Sequence, residues 1–313
     1  MRTAFLGTPA AAVPALRALA PAGVAAVFCN PDRPQGRGRH LEPPPVKLAA
    51  LELGLPVHQP ERWTAPETRA LWESLGIDLA VVVAYGHLLP AWMLDGCRLG
   101  VWNLHFSLLP RWRGAAPVNL AILEGDEVTG VSLMRLTPGL DEGPVLAASS
   151  RPITLQDTAE SLLPELARDA AELLRDQLNA LAAGTGRPEP QDDARATLAP
   201  KLTKAMAVLD PGRPAAQLHR QVRALQPWPG AELTVNGTLV KVYAVGGLRP
   251  DQGPAGSLVW NRQGAWLTAG DGMALELTLL QRPGKPVQPA PQALQPWGAV
   301  GAVQTSWPGS ART

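Results

Sequence analysis

The sequence LGVWNLHFSLLPRWRGAAP, residues 99–117, decides the fold that we predict for this chain. It begins as an apolar segment typical of a buried strand and passes directly into an amide, an imidazole and a hydroxyl, followed by a loop rich in proline, arginine and glycine. Because side chains alternate between the two faces of a strand, Asn103 and His105 share one face and Leu104 lies on the other. Polar side chains at the end of an apolar strand predict an open α/β sheet that binds its ligand at that edge.

A third polar side chain follows a later apolar segment. Asp141 lies in the turn TPGLDEG, residues 137–143. Taken singly, such an aspartate usually bonds its own backbone, and a buried histidine is usually satisfied by a carbonyl group. Three polar groups after successive strands of one sheet favour a shared site instead. We therefore predict that Asn103, His105 and Asp141 form the catalytic site.

Apolar and helical segments alternate from residue 3 to about residue 153. Continuous apolar strands separated by helices indicate a mostly parallel sheet covered on both faces, that is, a Rossmann-like α/β fold. An amphipathic helix is predicted over 154–183. The strands are predicted at 3–7, 23–29, 78–86, 100–105 and 130–136, and the helices at 8–19, 45–53, 67–76 and 117–124.

The pattern changes after residue 183. Residues 184–200 are polar and have no apolar period, which is typical of a linker. Short alternating segments follow, divided by Asn-Gly and Asp-Gly turns at 236–237 and 271–272, and these predict a small β-barrel. We predict a Rossmann-like domain over 1–183, a linker over 184–205 and a barrel domain over 206–313.

Composition excludes several classes of protein. With 46% hydrophobic residues among 313, the chain can bury a core, and its net charge of +1 does not suggest a general nucleic-acid binder. Two cysteines, five scattered histidines and the lack of C-x-x-C or H-E-x-x-H motifs predict neither a disulfide framework nor a metal site. Dinucleotide-binding and P-loop motifs are missing. No apolar run is long enough to span a membrane, so we expect a soluble cytoplasmic protein.

Two further segments could bind ligands. NPDRPQGRGRH, residues 30–40, is a basic loop with glycine hinges, and Arg33, Arg37 and Arg39 suit a polyanion. Ser107 follows His105 closely, but no G-x-S-x-G turn surrounds it, so it is not predicted to be a nucleophile. We expect Ser107 to shape the backbone or to contact a ligand.

Together these motifs resemble the methionyl-tRNA formyltransferase family. The resemblance covers nearly the whole chain. It is carried by N-x-H at 103–105, SLLPRWRGAAP at 107–117, GLD-x-G at 139–143, F-x-GTP at 5–9, DRP-x-GRG at 32–38, VVAYG at 82–86 and KLTK at 201–204.

The resemblance implies a Rossmann-like, folate-binding catalytic domain followed by an OB-like barrel domain that binds tRNA. It implies formyl transfer from 10-formyltetrahydrofolate, as a co-substrate and without a metal, to the methionine amino group of initiator methionyl-tRNA. Neither a membrane nor a protein partner is expected. The resemblance assigns folate binding to Ser107, Leu108, Leu109, Pro110, Tyr85 and Gly86, and tRNA binding to Arg33, Arg37 and Arg39.

Two other functions stay open at this point. The first is formyl transfer to a small amine, such as an amino sugar nucleotide or glycinamide ribonucleotide; the basic loop and the second domain argue against it. The second is tRNA binding without catalysis on a formyltransferase scaffold. Binding alone does not require Asn103, His105 and Asp141, so their presence argues against that function.

Overall fold

The computed structural model describes residues 1–35 and 40–307. The chain divides into two compact units. The first unit comprises Met1–Pro117, Val128–Pro152 and Leu162–Ala199, and the second comprises Val118–Glu127, Ile153–Ser161 and Pro200–Thr313. No described helix combines the length and the apolar composition that a membrane crossing requires.

Residues 1–199 contain the following elements. The strands are β1 (Thr3–Gly7), β2 (Val24–Phe28), β3 (Arg33–Gln35), β4 (His40–Glu42), β5 (Val57–His58), β6 (Leu79–Val83), β7 (Val101–His105), β8 (Arg113–Gly114), β9 (Val128–Arg135), β10 (Val145–Pro152) and β11 (Leu198–Ala199). The helices are α1 (Val13–Leu19), α2 (Pro45–Glu52), α3 (Pro66–Leu75), α4 (Ala91–Gly96), α5 (Pro117–Glu124) and α6 (Ala159–Ala183).

One seven-stranded sheet, in the order β10-β9-β7-β6-β1-β2-β5, organises the first unit. The five strands from β7 to β5 run parallel, β9 runs antiparallel to β7, and β10 runs antiparallel to β9. Strands β1 and β6 are buried along their whole length, which their continuous apolar sequences require. The α/β prediction is confirmed, in the form of a mixed sheet.

The chain order reverses between β1 and β6, because β2 and β5 extend the sheet on one side and β6 and β7 on the other. Open α/β sheets bind ligands at the carboxyl ends of strands beside such a reversal. Gly7 ends β1 there, and a Cβ at Gly7 would lie 2.9 Å from the carbonyl oxygen of Val83. Glycine therefore allows the ends of β1 and β6 to approach closely.

The segment 184–199, predicted as part of a linker, is ordered within the first unit. β11 pairs in parallel with β8, and Glu189 and Val145 exchange two backbone hydrogen bonds of 2.8 Å. These contacts use backbone groups, so they leave no apolar period in the sequence. The first unit therefore continues beyond α6, as far as Ala199.

The second unit is built on an antiparallel sheet in the order β12-β13-β16-β15-β14-β18, with β17 paired to β16. Its alternating apolar side chains form a core that includes the buried Trp260. The strands are β12 (Ala231–Val235), β13 (Thr238–Pro250), β14 (Ser257–Asn261), β15 (Gly264–Thr268), β16 (Met273–Gln281), β17 (Gln288–Pro289) and β18 (Gly301–Gln304), and the helices are α7 (Ala215–Ala224) and α8 (Ala290–Leu294).

Two segments predicted for the first domain group with the second unit. They are 118–127, which holds most of α5, and 153–161, which leads into α6. Asn119 donates to the carbonyl oxygen of Ala224 at 2.6 Å, and Arg220 donates to that of Leu123 at 3.1 Å. A side chain of each helix thus donates to a carbonyl group in the last turn of the other helix. Apolar periodicity in the sequence does not reveal such a contact.

Candidate active site

The carboxyl end of β7 carries two of the predicted residues. Asn103 and His105 lie on the same face of this strand, Asn103 half-buried and His105 buried. Asn103 is in register with Val82 of β6, and His105 pairs with Ser132 of β9. Strand pairing therefore fixes the backbone position of both residues.

The imidazole of His105 is held in one orientation. Its Nε2 lies 2.8 Å from the carbonyl oxygen of Trp112. A carbonyl oxygen only accepts, so Nε2 carries the proton of this hydrogen bond. The other ring nitrogen, Nδ1, lies 3.6 Å from Oδ2 of Asp141. In the neutral ring Nδ1 holds a lone pair, so it is the nitrogen that can take up and release a proton.

Asp141 reaches His105 by a route that strand order alone does not predict. Because β9 runs antiparallel to β7, its last residue, Arg135, pairs with Trp102 near the amino end of β7. The loop 136–144 then folds back, and Oδ2 of Asp141 accepts the backbone N–H of Gly114 at 2.9 Å. Asp141 has a φ of +48°, in the left-handed region that aspartate tolerates better than most residues.

Asn103 offers an amide group to the same face. Among the residues that the structure describes, its side chain has no hydrogen-bond partner, and it is not fully buried. An amide N–H₂ that no protein group occupies can donate to a ligand oxygen. The structure thus brings His105 and Asp141 together and places Asn103 two residues before His105 on the same face.

Ser107 shapes the backbone of the loop after β7. Its side chain is fully buried, and its hydroxyl donates to the carbonyl oxygen of Arg111 at 2.6 Å. Ser132 donates to the carbonyl oxygen of Ser107 at 2.8 Å and accepts the N–H of Leu109 at 3.1 Å. These bonds fix the loop that carries Leu108, Leu109 and Pro110, which are half-buried.

Tyr85 and Gly86 follow β6 at the neighbouring strand end. The Tyr85 ring is buried, and its hydroxyl accepts the indole N–H of Trp63 at 3.1 Å. Burial raises the pKa of Tyr85 to about 12, so the phenol stays protonated. Gly86 is exposed and has a φ of +82°, which favours glycine. Tyr85 therefore supports this strand end from within the core, whereas the backbone of Gly86 is open to a ligand.

The predicted tRNA-binding arginines are only partly described. Arg33 is exposed on β3, which forms a two-stranded hairpin with β4. Arg37 and Arg39 lie outside the described residues. For metals, the described part of the chain holds no group of three or more histidine, cysteine, aspartate or glutamate side chains suited to an ion.

The residues that hold Asp141 were not predicted from the sequence. Gln191 donates its side-chain amide to the carbonyl oxygens of Asp141, at 2.8 Å, and Gly143, at 2.7 Å. Its oxygen accepts from Arg113 at 3.0 Å, and Arg113, which is buried, also donates to Asp193 at 2.7 Å. Gln191 and Asp193 lie in the segment predicted as a linker, where no motif distinguishes them.

This geometry suits acyl transfer to an amine. The Nδ1 of His105 can receive a proton, the carboxylate of Asp141 can stabilise the imidazolium that results, and Asn103 can donate to an oxygen that becomes negative. All three lie at the edge of the sheet where α/β proteins bind ligands.

Comparison with known proteins agrees with this chemistry. Residues 1–178 match the family described as formyl transferase, and residues 201–296 match the formyl transferase C-terminal domain. Both halves of the chain therefore match one class, the formyl transferases.

Curated relatives narrow this class. A methionyl-tRNA formyltransferase from Halorhodospira halophila is 50% identical over 90% of this chain and 92% of its own length. One from Methylococcus capsulatus is 47% identical over 91% of this chain and 93% of its own length. The chain therefore belongs to the methionyl-tRNA formyltransferase family.

Solved structures share the fold at low identity. An N-formyltransferase from Helicobacter canadensis, in complex with folinic acid and dTDP-3-aminofucose, has a TM-score of 0.66 at 17% identity; the match covers 90% of this chain and 98% of that one. HypX from Aquifex aeolicus, in complex with tetrahydrofolic acid, has a TM-score of 0.63 at 18% identity, and the match covers 94% of this chain. This chain spans about half of HypX, 47% of its length.

Proposed function

We propose that this chain transfers the formyl group of 10-formyltetrahydrofolate to the methionine amino group of initiator methionyl-tRNA. We place the reaction in the cytoplasm, where translation begins. The observation that carries the chemistry is the His105 ring, held by Trp112 with its free nitrogen toward Asp141. The choice of substrate is supported by the identity of 50% over nine-tenths of the chain to a protein named methionyl-tRNA formyltransferase.

The reaction forms one carbon–nitrogen bond and breaks another. The amine attacks the formyl carbon, the formyl oxygen becomes an oxyanion, and the bond to N10 of the folate then breaks. One proton leaves the amine, and one reaches N10. Nδ1 of His105 can make both transfers in turn, because Nε2 stays engaged with Trp112.

Two neighbours complete these roles. Asn103 donates its amide hydrogen to the developing oxyanion. Asp141 faces the imidazolium that forms when Nδ1 takes the proton, and the Gly114 N–H and Gln191 keep the carboxylate in place. A fixed charge that need not reorganise during the reaction stabilises the transition state more than a mobile one.

We infer that the folate binds along the loop after β7 and the end of β6. Leu108, Leu109 and Pro110 supply half-buried apolar surface there, and Gly86 supplies an open backbone. Ser107 and Tyr85 contribute indirectly, since their hydroxyls serve the loop and the core. Folate compounds in two solved structures of this fold support a folate site.

We infer that tRNA is bound by the basic loop and by the second unit. Arg33 is exposed, and Arg37 and Arg39 follow it in sequence, so phosphate contacts are the natural use of this loop. We interpret the antiparallel sheet of the second unit, over 206–313, as an OB-like barrel that supports RNA binding. We propose that the catalytic domain corresponds to 1–183 and that 184–205 connects it to the second unit, with residues 184–199 grouped with the first unit.

The test is a transfer assay with a choice of acceptors. The purified chain receives 10-formyltetrahydrofolate labelled in the formyl group, with charged initiator tRNA, charged elongator methionyl-tRNA, an amino sugar nucleotide or glycinamide ribonucleotide. We expect label on initiator methionyl-tRNA in preference to the other acceptors. Transfer to a small amine instead, or tRNA binding without transfer, would replace this proposal by one of the two alternatives.

A further inference from the structure

A polar cluster beside the catalytic site takes no part in the chemistry described so far. It consists of Thr8 after β1, Asn30 after β2 and His87 after β6, and we call it the switch-point cluster. The three residues come together because the carboxyl ends of these parallel strands meet where the strand order reverses. Each is half-buried, so the cluster is accessible to a ligand.

The hydrogen bonds of the cluster leave specific groups available. His87 Nε2 lies 2.5 Å from Oδ1 of Asn30, and the Thr8 hydroxyl accepts the N–H of Asn30 at 3.3 Å. The amide oxygen of Asn30 accepts, so Nε2 of His87 donates and its Nδ1 is an acceptor in the neutral ring. Within residues 1–35 and 40–307, no partner is recorded for the side-chain N–H₂ of Asn30 or for Nδ1 of His87.

Two charged side chains near Asn30 are paired with each other. Lys47 lies 2.7 Å from Asp32, and Gln59 donates both to Asp32 at 2.8 Å and to the carbonyl oxygen of Asn30 at 2.7 Å. This network fixes the backbone of Asn30 without adding an unpaired charge to the cluster. The cluster therefore presents a donor and an acceptor side by side, which suits a hydroxyl group better than a phosphate or an ammonium.

Strand register fixes the distance between this cluster and the catalytic residues. Leu6 of β1 pairs with Val82 of β6, and Val82 pairs with Asn103 of β7. Neighbouring strands lie about 4.8 Å apart, so the ends of β6, β1 and β2 are roughly 5, 10 and 14 Å from the end of β7. Asn30 follows β2, but its side chain extends toward His87, which follows β6, because the two are hydrogen-bonded. On its other side β7 is flanked by β9 and by the loop that Ser132 braces.

An aminoacyl ester has the right length to bridge these sites. Six bonds, each about 1.5 Å long, separate the amino nitrogen from the free ribose hydroxyl next to the ester, and together they span roughly 6 Å. If the amino nitrogen lies beside His105 and Asn103, the ribose hydroxyl therefore lies near the ends of β6 and β1.

We propose that the switch-point cluster binds the free ribose hydroxyl of the terminal nucleotide of aminoacyl-tRNA. Asn30 donates to this hydroxyl and His87 accepts from it, so the ester is held with its amine facing His105. The proposal rests on the proposed function, because it takes aminoacyl-tRNA as the acceptor.

The test pairs a residue with a substrate atom. Formyl transfer is measured on methionyl-tRNA charged on the 3′ oxygen, with a terminal adenosine that either retains or lacks its 2′ hydroxyl, using wild type, Asn30→Ala and His87→Ala. With the wild type, removal of the hydroxyl should lower kcat/KM about 10-fold, as for a hydrogen bond whose partner is left unpaired. Each variant should have a similarly lowered kcat/KM on the complete substrate. Removing the 2′ hydroxyl should then lower the kcat/KM of the variant little further, because the partner of that hydroxyl is already missing.

Other outcomes would overturn the proposal. Equal losses on both substrates would show that Asn30 and His87 only stabilise the fold, and a wild type indifferent to the hydroxyl would show that it is not recognised. His87→Gln retains a donor toward Asn30 and should recover part of the lost discrimination. Asn179→Ala, an exposed change on α6, serves as the matched control. Absence of transfer to the complete substrate by the wild type would instead contradict the proposed function.

Discussion

Two histidines, one in each unit, show how differently the same side chain is used. His105 in the first unit faces the carboxylate of Asp141 with Nδ1, the ring nitrogen that the Trp112 carbonyl group does not engage. In the second unit His219 accepts a hydrogen bond at Nδ1 from Arg223 at 3.2 Å. Burial, together with the positive charges of Arg223 and Arg220, lowers the pKa of His219 to about 4. His219 therefore stays neutral near pH 7 and serves as a fixed acceptor.

The difference lies in what surrounds each ring. Burial and two guanidinium groups disfavour the protonated form of His219, whereas His105 faces a carboxylate that can stabilise an imidazolium formed during the reaction. His105 can therefore exchange a proton during a reaction, and His219 can hold Arg223 in place. Arg223 in turn donates to the carbonyl oxygens of Thr154, at 3.0 Å, and Asp157, at 2.7 Å. The comparison assigns catalysis to the first ring and stability to the second.

The largest expected effect follows from removing the catalytic ring. His105→Ala should lower the turnover of formyl transfer about 10²- to 10⁴-fold, as for loss of a general acid–base group. His219→Ala is the matched variant, and its turnover should stay near the wild-type value. Steady-state assays on folded protein measure both, and normal turnover in His105→Ala would remove His105 from the mechanism.

Loss of the carboxylate charge should come next. Asp141→Asn keeps an oxygen that can accept the N–H of Gly114 but removes the charge that stabilises the imidazolium. We expect turnover to fall about 10²-fold or more, since the proton acceptor is weakened. The KM for the folate should change little. A fall in folate affinity with unchanged turnover would assign Asp141 to substrate binding instead.

Gln191 tests how strictly Asp141 must be placed. Gln191→Glu would turn a carboxylate oxygen toward the two carbonyl oxygens that now accept from the amide, and the 136–144 loop should shift. Misplacement of a catalytic group by about 1 Å can cost up to about 10²-fold, so we expect a loss of about 10- to 100-fold in turnover. The control is Gln263→Glu in an exposed turn. Unchanged turnover in Gln191→Glu would mean that Asp141 does not depend on this brace.

Replacing Arg223 tests whether its hydrogen bond with His219 stabilises the second unit. Arg223→Met removes the charged donor that His219, Thr154 and Asp157 share, and a hydrogen bond to a charged group contributes about 1.5–3 kcal/mol. Denaturant titration should show this loss in the free energy of unfolding of the second unit, and Arg262→Met, an exposed change, should show none. Full stability in Arg223→Met would contradict the role given to this pair.

The smallest effect concerns acid stability. The pKa of His219 lies at about 4 in the folded chain against an ordinary value of 6.5, so between these values the unfolded chain binds the proton and the folded chain does not. This group should therefore lower stability as the pH falls from 6.5 toward 4 and have no effect above 6.5. Unfolding curves for His219→Gln should be less sensitive to acid in that range. Identical pH dependence in both proteins would refute the assignment.

Part of the fold could be predicted because its residues repeat a local pattern. The all-apolar run at the centre of the sheet predicted β6, and the apolar segment before Asn103 predicted β7, each to within a few residues. The helix over 117–124 begins at Pro117 and ends at Glu124 as expected. In these elements one local signal, apolar periodicity or a proline at the first helical turn, agrees with the tertiary contacts.

Other elements depend on contacts that local patterns do not encode. β13 continues to Pro250 because bulges allow it to pair with β16 across Gly246 and Gly247. The segment 184–199 pairs through its backbone, and the fold of the loop that carries Asp141 depends on Gln191 from that segment. Motifs could suggest Asp141 as a site residue, but the route by which it reaches His105 depends on long-range pairing.

The most direct test of the contrast between the two histidines is the ring ¹⁵N–¹H spectrum of the selectively labelled protein near pH 7. We expect neutral His105 to carry its proton on Nε2, with Nδ1 holding the lone pair that receives the proton in the reaction. His219 should show an unprotonated Nδ1 at the same pH. A neutral His105 protonated on Nδ1 would contradict the account, because the nitrogen assigned to proton transfer would then be the wrong one.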